Sequence, residues 1–143
     1  MNASAAVMEQ SLVKLAERGI ELRHGLYAKF FAAYPARRAD FLCPEATSVR
    51  MTDETLQMMF GLASGASWVW PLVAELSYTH RAYGRLPIEE YDSFIDLTVA
   101  ELAEALGDEW TAAQAAVWQA QAELLKAMVA KAQAEWEVVL PRG

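Results

Sequence analysis

Apolar residues along the chain recur at three- and four-residue steps, and nowhere do they alternate as a half-buried strand requires. Val7, Met8, Leu12, Leu15 and Ala16 share one side of a helix over 5–18, with Ser4 placed to cap its start and Gly19 to stop it. Leu22, Leu26, Phe30 and Phe31 mark a second helix over 20–34. Pro35 ends it, because a residue before proline is driven out of the α region. A short helical turn over 36–42 and an irregular stretch over 43–50 are expected next. Thr52-Asp53-Glu54-Thr55 then has the form of a helix start, a hydroxyl followed by acids that the helix dipole favours. Leu56, Met59, Phe60 and Ala63 supply the apolar face of that helix, and Gly61, Gly65 and Ser67 loosen the run towards Trp68. Pro71 suits the first turn of a helix carrying Leu72, Leu76, Tyr78 and His80, which Gly84 stops. Pro87 with Glu89 and Glu90 opens a long helix that ends at Leu106 and Gly107. Asp108 or Thr111 caps a last helix running to about Val138, ahead of Pro141.

The pattern predicts an all-α chain of about six or seven helices in one domain over 1–143. The helices are unequal and their connections irregular, so crossing at large angles around a cavity is expected rather than an up-down bundle. Composition agrees: 55% of the 143 residues are apolar and 22% charged, which suits a packed globule. A net charge of −7, with scattered basic residues, argues against nucleic acid and anionic membrane as partners. No stretch approaches the roughly 20 apolar residues that span a bilayer. The first eight residues have neither the basic nor the apolar region of a signal peptide, so a soluble, cytoplasmic protein is expected. Cys43, the single cysteine, excludes a disulfide framework.

Chemistry-bearing residues are few. His24 and His80 are the only imidazoles, and neither has a partner three or four residues away that would make a zinc or di-iron cluster. No phosphate loop, nucleophile elbow or Cys–His pairing is present. A lone imidazole on an apolar helix is ordinarily a half-buried surface group. Spacing alone therefore leaves one candidate ligand, His80, among a heavy aromatic load of five Trp, five Tyr and five Phe.

Three segments in order give His80 a context. Tyr27-Ala28-Lys29-Phe30-Phe31, Tyr34-Pro35 and Phe41 follow a Y-x-x-(F/M)-F…(H/Y)-P-x5-F run. Pro71, His80, Tyr83-Gly84, Pro87 and Tyr91 follow P-x8-H, x-x-(Y/F)-G and P…Y. Leu106-Gly107-Asp108-Glu109-Trp110-Thr111 with Val117-Trp118 follows L-G-x-x-W-T…A-W. The chain thereby resembles the bacterial single-domain globins and the globin portion of flavohemoglobins, from about Leu12 to Glu135.

That resemblance implies a globin-like fold around a heme b pocket, with His80 as the iron ligand and a diatomic gas (O₂, CO or NO) on the opposite face. It implies a distal pocket of Tyr27 and Thr52, with Phe41, Leu56, Phe60, Leu76 and Phe94 as apolar walls. Met51, Thr55, Gln57 and Met59 are alternatives to Thr52, which also reads as a helix cap. Arg81 and Arg85 flank the proximal turn as candidate partners of the heme carboxylates. Tyr91 and Gln133 stand where the family supports the proximal imidazole, Tyr91 one residue beyond the family spacing. Gln133 is a neutral amide where the family has Glu, and Glu135 restores the carboxylate if the register is shifted by two. Trp68 and Trp70 are expected to pack, and Val117, Leu124, Leu125, Met128 and Val129 to be core. The function implied is reversible oxygen binding, carriage or storage. A heme-free interaction or sensor module is the alternative from another class, and nitric-oxide dioxygenation would require a reductase in trans.

Overall fold

The computed structural model describes residues 2–142. Among them lie six α-helices and no strand: α1 (Ala3–Arg18), α2 (Arg23–Ala33), α3 (Pro44–Ala63), α4 (Val69–Thr79), α5 (Ile88–Leu106) and α6 (Ala112–Val139). Short 3-10 turns occupy Pro35–Asp40, His80–Tyr83 and Gly107–Glu109. None of the helices is long and apolar enough to cross a membrane.

The helix ends follow from local chemistry. Asn2, not Ser4, caps α1: its side-chain oxygen accepts from the Ala5 N–H at 2.8 Å, and its amide donates to the Ala63 carbonyl at 2.6 Å. One side chain thus caps α1 and fastens it to the end of α3. Gly19 stops α1 in the left-handed conformation, φ 65°, that a side chain would disfavour. Thr111 and Gln114 form a reciprocal capping box at the start of α6.

The main departure from expectation is α3, which starts at Pro44, two turns ahead of Thr52. Pro44 in the first turn followed by Glu45 satisfies the same rules that mark Pro87 and Glu89. The start is fixed from outside as well. Arg23, buried in α2, donates to Glu45 at 2.7 Å and to the Ser48 hydroxyl at 3.1 Å. Thr52 is therefore inside a helix and caps nothing.

Helix α6 is the spine, packing against α1, α3, α4 and α5, while α2 lies on α5. Trp118, Ala122 and Leu125 of α6 are fully buried against Met8, Met59, Val73, Leu102 and Leu106. Full burial of each Leu or Met contributes about 1.5–3 kcal/mol. Val117 and Met128 are half-buried at the edge of this cluster, and Leu124, expected in the core, is exposed. A second cluster, mostly aromatic, gathers Leu26, Tyr27, Phe30, Phe31 and Phe94, with Tyr34, Phe41 and Met51 around it. Trp70 packs on the main cluster, and Lys131 covers its ring at 4.7 Å.

Trp68 and Val69 close the corner between α3 and α4 directly over Gly61. A Cβ on Gly61 would stand 2.7 Å from the Val69 side chain and 2.8 Å from the Trp68 ring. Gly61→Val is therefore expected to lower the urea-unfolding free energy by about 1–3 kcal/mol, the usual cost of overpacking. An unchanged midpoint would show that the corner is loose.

Candidate functional site

A cavity of about 540 Å³ opens beside the two clusters, within the roughly 300–1,000 Å³ range of small-molecule and cofactor sites. Phe30 of α2 and Phe41 form one wall. Thr47, Arg50, Met51, Glu54, Thr55 and Met58, a single row along α3, form the next. Leu72 and Leu76 of α4, Tyr91, Phe94 and Ile95 of α5, and Leu125 and Val129 of α6 complete it, with His80 and Tyr83 on the turn after α4. The lining is apolar in depth, and its charges are Arg37, Asp40, Arg50, Glu54, Glu75 and Glu90.

His80 is half-buried, and its Nδ1 lies 2.7 Å from the Leu76 carbonyl. A carbonyl oxygen only accepts, so Nδ1 carries the proton and Nε2 keeps its lone pair. Nε2 has no hydrogen-bond partner among the described residues. Burial, the largest influence, pulls the imidazole pKa below its ordinary 6.5, and the Arg50 charge pulls the same way. The Leu76 bond and the Glu54 charge partly oppose them. The group is thus held neutral and in one tautomer, the state a metal or electrophile requires. The Tyr91 ring stands 5.9 Å from the imidazole and the Tyr83 ring 6.2 Å. His24, by contrast, is exposed beside Glu21.

Of the residues expected around the pocket, Phe41, Leu76, His80, Tyr91 and Phe94 line the cavity. Thr52, Leu56 and Phe60 do not. With α3 continuous from Pro44, Thr52 and Leu56 are one position off the row that faces inwards, and Leu56 and Phe60 pack in the main core. Met51 and Thr55, the alternatives to Thr52, are on that row, whereas Gln57 and Met59 are not. The Thr55 hydroxyl donates to the Met51 carbonyl at 2.7 Å.

Tyr27 stands one ring behind the lining, edge-on to Phe41 and Phe94 with centroids 5.4 and 5.5 Å away. Its hydroxyl is buried without a partner, and burial raises its pKa, so it keeps its proton. Such an orphan costs about 1–3 kcal/mol unless something bonds it.

Arg81 and Arg85 are turned away from the cavity. Arg81 donates to the Trp136 carbonyl at 3.3 Å and to that of Leu140, satisfying groups that the end of α6 leaves open. Arg85 pairs with Glu137 at 3.3 Å. Gln133 donates to the Leu86 carbonyl at 2.9 Å and lines a small pocket with His80 and Tyr91, without a hydrogen bond to the imidazole, while Glu135 is exposed near Lys131. The phenol of Tyr91 is pushed up to about 12, burial being the main cause.

Thr47, Arg50, Glu54 and Met58 are α3 lining residues that the sequence did not assign to the pocket. The signal was the Pro44-Glu45 start, because extending α3 back to it puts 47, 50, 51, 54, 55 and 58 on one side at helical spacing. No known protein-family pattern matches the chain, and a search of curated proteins returns no match.

The lowered pKa of His80 has a stability consequence. Just below pH 6.5 the unfolded chain binds more protons than the folded one. His80 therefore contributes stability that is present above 6.5 and lost as pH falls through that interval. Between about pH 7.5 and pH 5.5, wild type is expected to lose more unfolding free energy than His80→Gln, measured by urea titration without added ligand. Parallel losses would show that the imidazole titrates as if in solvent.

Proposed function

We propose that this chain is a globin-like protein that holds heme b through Nε2 of His80 and binds O₂, CO or NO reversibly. One observation carries the reading: an imidazole oriented by the Leu76 carbonyl at 2.7 Å, its second nitrogen without a partner among the described residues, lines a largely apolar cavity of about 540 Å³. The ordered motif resemblance described above points the same way. The donor set also fits. Among the described residues no three or more His, Cys, Asp or Glu side chains gather into a metal cage. A bare ion would find too few ligands, but a metal that brings its own macrocycle needs only one imidazole.

Heme, when bound, would supply the iron that takes the gas. The chain does the rest. Leu72, Leu76, Ile95, Leu125 and Val129 exclude water, and Phe41 and Phe94 offer flat apolar surface. Tyr27 holds its proton ready, and its unpartnered hydroxyl fits a donor to bound O₂, which carries partial negative charge. The group that orients His80 is a neutral carbonyl rather than a carboxylate. A neutral partner makes the imidazole less basic, which suits reversible binding better than O–O bond cleavage. Carriage or storage needs only these groups, whereas nitric-oxide dioxygenation would need electrons from a reductase in trans.

His80→Ala is expected to abolish heme uptake, followed by the heme absorption band on titration, while far-UV circular dichroism shows helix content retained. Full uptake by the variant would overturn the ligand assignment. A wild-type chain that takes up no heme would favour the heme-free interaction module instead. Tyr27→Phe removes a buried orphan, so the urea midpoint of the heme-free protein is expected to hold or rise. In the O₂ complex the same change should speed release roughly 5- to 150-fold, the loss of a bond of about 1–3 kcal/mol. Unchanged release would place the phenol outside the ligand's reach.

A further inference from the structure

Two guanidinium groups line the cavity, Arg37 and Arg50, and they are not equivalent. Arg37 is committed: Nε donates to Glu90 Oε1 at 2.6 Å, a terminal nitrogen donates to Oε2 at 3.0 Å, and Asp40 lies 3.5 Å away. That two-point grip on a buried carboxylate leaves little for a ligand. Arg50 is exposed on the inward row of α3 and has neither an ion-pair nor a hydrogen-bond partner among the described residues. Its charge acts on both Tyr27 and His80, so it stands within electrostatic reach of both sides of the cavity.

The neighbouring charges narrow what it can receive. Glu54 and Glu75 line the same cavity, also without ion-pair partners among the described residues. An anionic group entering there meets the two unpaired carboxylates and one unpaired cation, Arg50. A cation has no reason to choose the position Arg50 holds. A flat apolar ligand with carboxylates on one edge matches the arrangement: its body fits the apolar depth, and one carboxylate meets a fork of free N–H donors. Arg81 and Arg85, the sequence candidates for that task, are spent on α6.

We propose that Arg50 is the residue that receives a carboxylate of the bound tetrapyrrole and fixes which edge of it faces solvent. This rests on the heme reading above. The test compares hemin with hemin dimethyl ester, which has the same ring but no carboxylate, by following transfer from the protein to an acceptor in excess. Arg50→Met is expected to release hemin about 5- to 10-fold faster than wild type, an effect that shrinks at high salt. Arg50→Lys should restore most of the retention, and the dimethyl ester should leave wild type and Arg50→Met at equal rates. Equal hemin release from wild type and Arg50→Met would overturn the assignment. So would a variant that speeds loss of both pigments alike, because the effect would then be packing. Failure of wild type to take up either pigment would overturn the heme reading itself, before any variant is compared.

Discussion

The arrangement depends on the carbonyl oxygen of Leu76. It accepts the backbone N–H of His80 as α4 ends, the Thr79 hydroxyl at 3.1 Å and the His80 Nδ1–H at 2.7 Å. A helix end leaves carbonyls unsatisfied, and here one of them is answered by the side chain that the site needs to orient. The same bond decides the tautomer and leaves Nε2 unprotonated, on a ring that lines the cavity. Burial adds the second condition by keeping the ring uncharged. Orientation and charge state both follow from where α4 stops. The short 3-10 turn after it, His80–Tyr83, carries the ring into the lining.

The cavity exists because α6 organises one core and α2 another. Large aliphatic and aromatic side chains of α6 and α5 fill the first, and the edge-on rings of Tyr27, Phe30, Phe31, Phe41 and Phe94 fill the second. Rings that meet edge to face make directional contacts, worth about 0.5–1.5 kcal/mol a pair beyond their burial. Helix α3 lies between the two cores, anchored at its start by Arg23 and closely packed at its end over Gly61. Its inward row is left to face the open space.

Most of the helical plan was legible in the sequence, because proline, glycine and capping residues punctuate it strongly. Gly19, Gly107, Pro87 and Thr111 all act where their chemistry says they should. His80 and Phe41, which line the cavity, were expected there from the motif resemblance, whose prolines fix their positions in the run. The α3 wall was not legible. Thr52-Asp53-Glu54 imitates a helix start, and a hydroxyl in mid-helix is indistinguishable by type from one at a cap. The resemblance, matched by length, then placed Thr52 and Leu56 where the structure has Met51 and Thr55, one residue off the inward row. The cationic candidates failed differently. Arg81 and Arg85 are near His80 in sequence, but their destinations are carbonyls and a carboxylate of α6, more than fifty residues away. Only the folded chain brings those groups together.

The corrected register sharpens the proposed chemistry. Met51 offers a thioether, and the Thr55 hydroxyl already gives its proton to the Met51 carbonyl, so neither of these two residues has a free hydrogen-bond donor to offer. Apolar walls separate diatomic molecules only by size, and O₂, CO and NO hardly differ in size. What separates them is the charge that O₂ takes on when bound, and only a donor reads charge. In the proposed reading that task falls to Tyr27 alone, a phenol that sits behind Phe41 and Phe94 and bonds nothing else. A buried orphan hydroxyl destabilises the fold that contains it. The proposed reading gives that cost a purpose: the hydroxyl of a ring packed in the aromatic cluster stays free to meet a ligand.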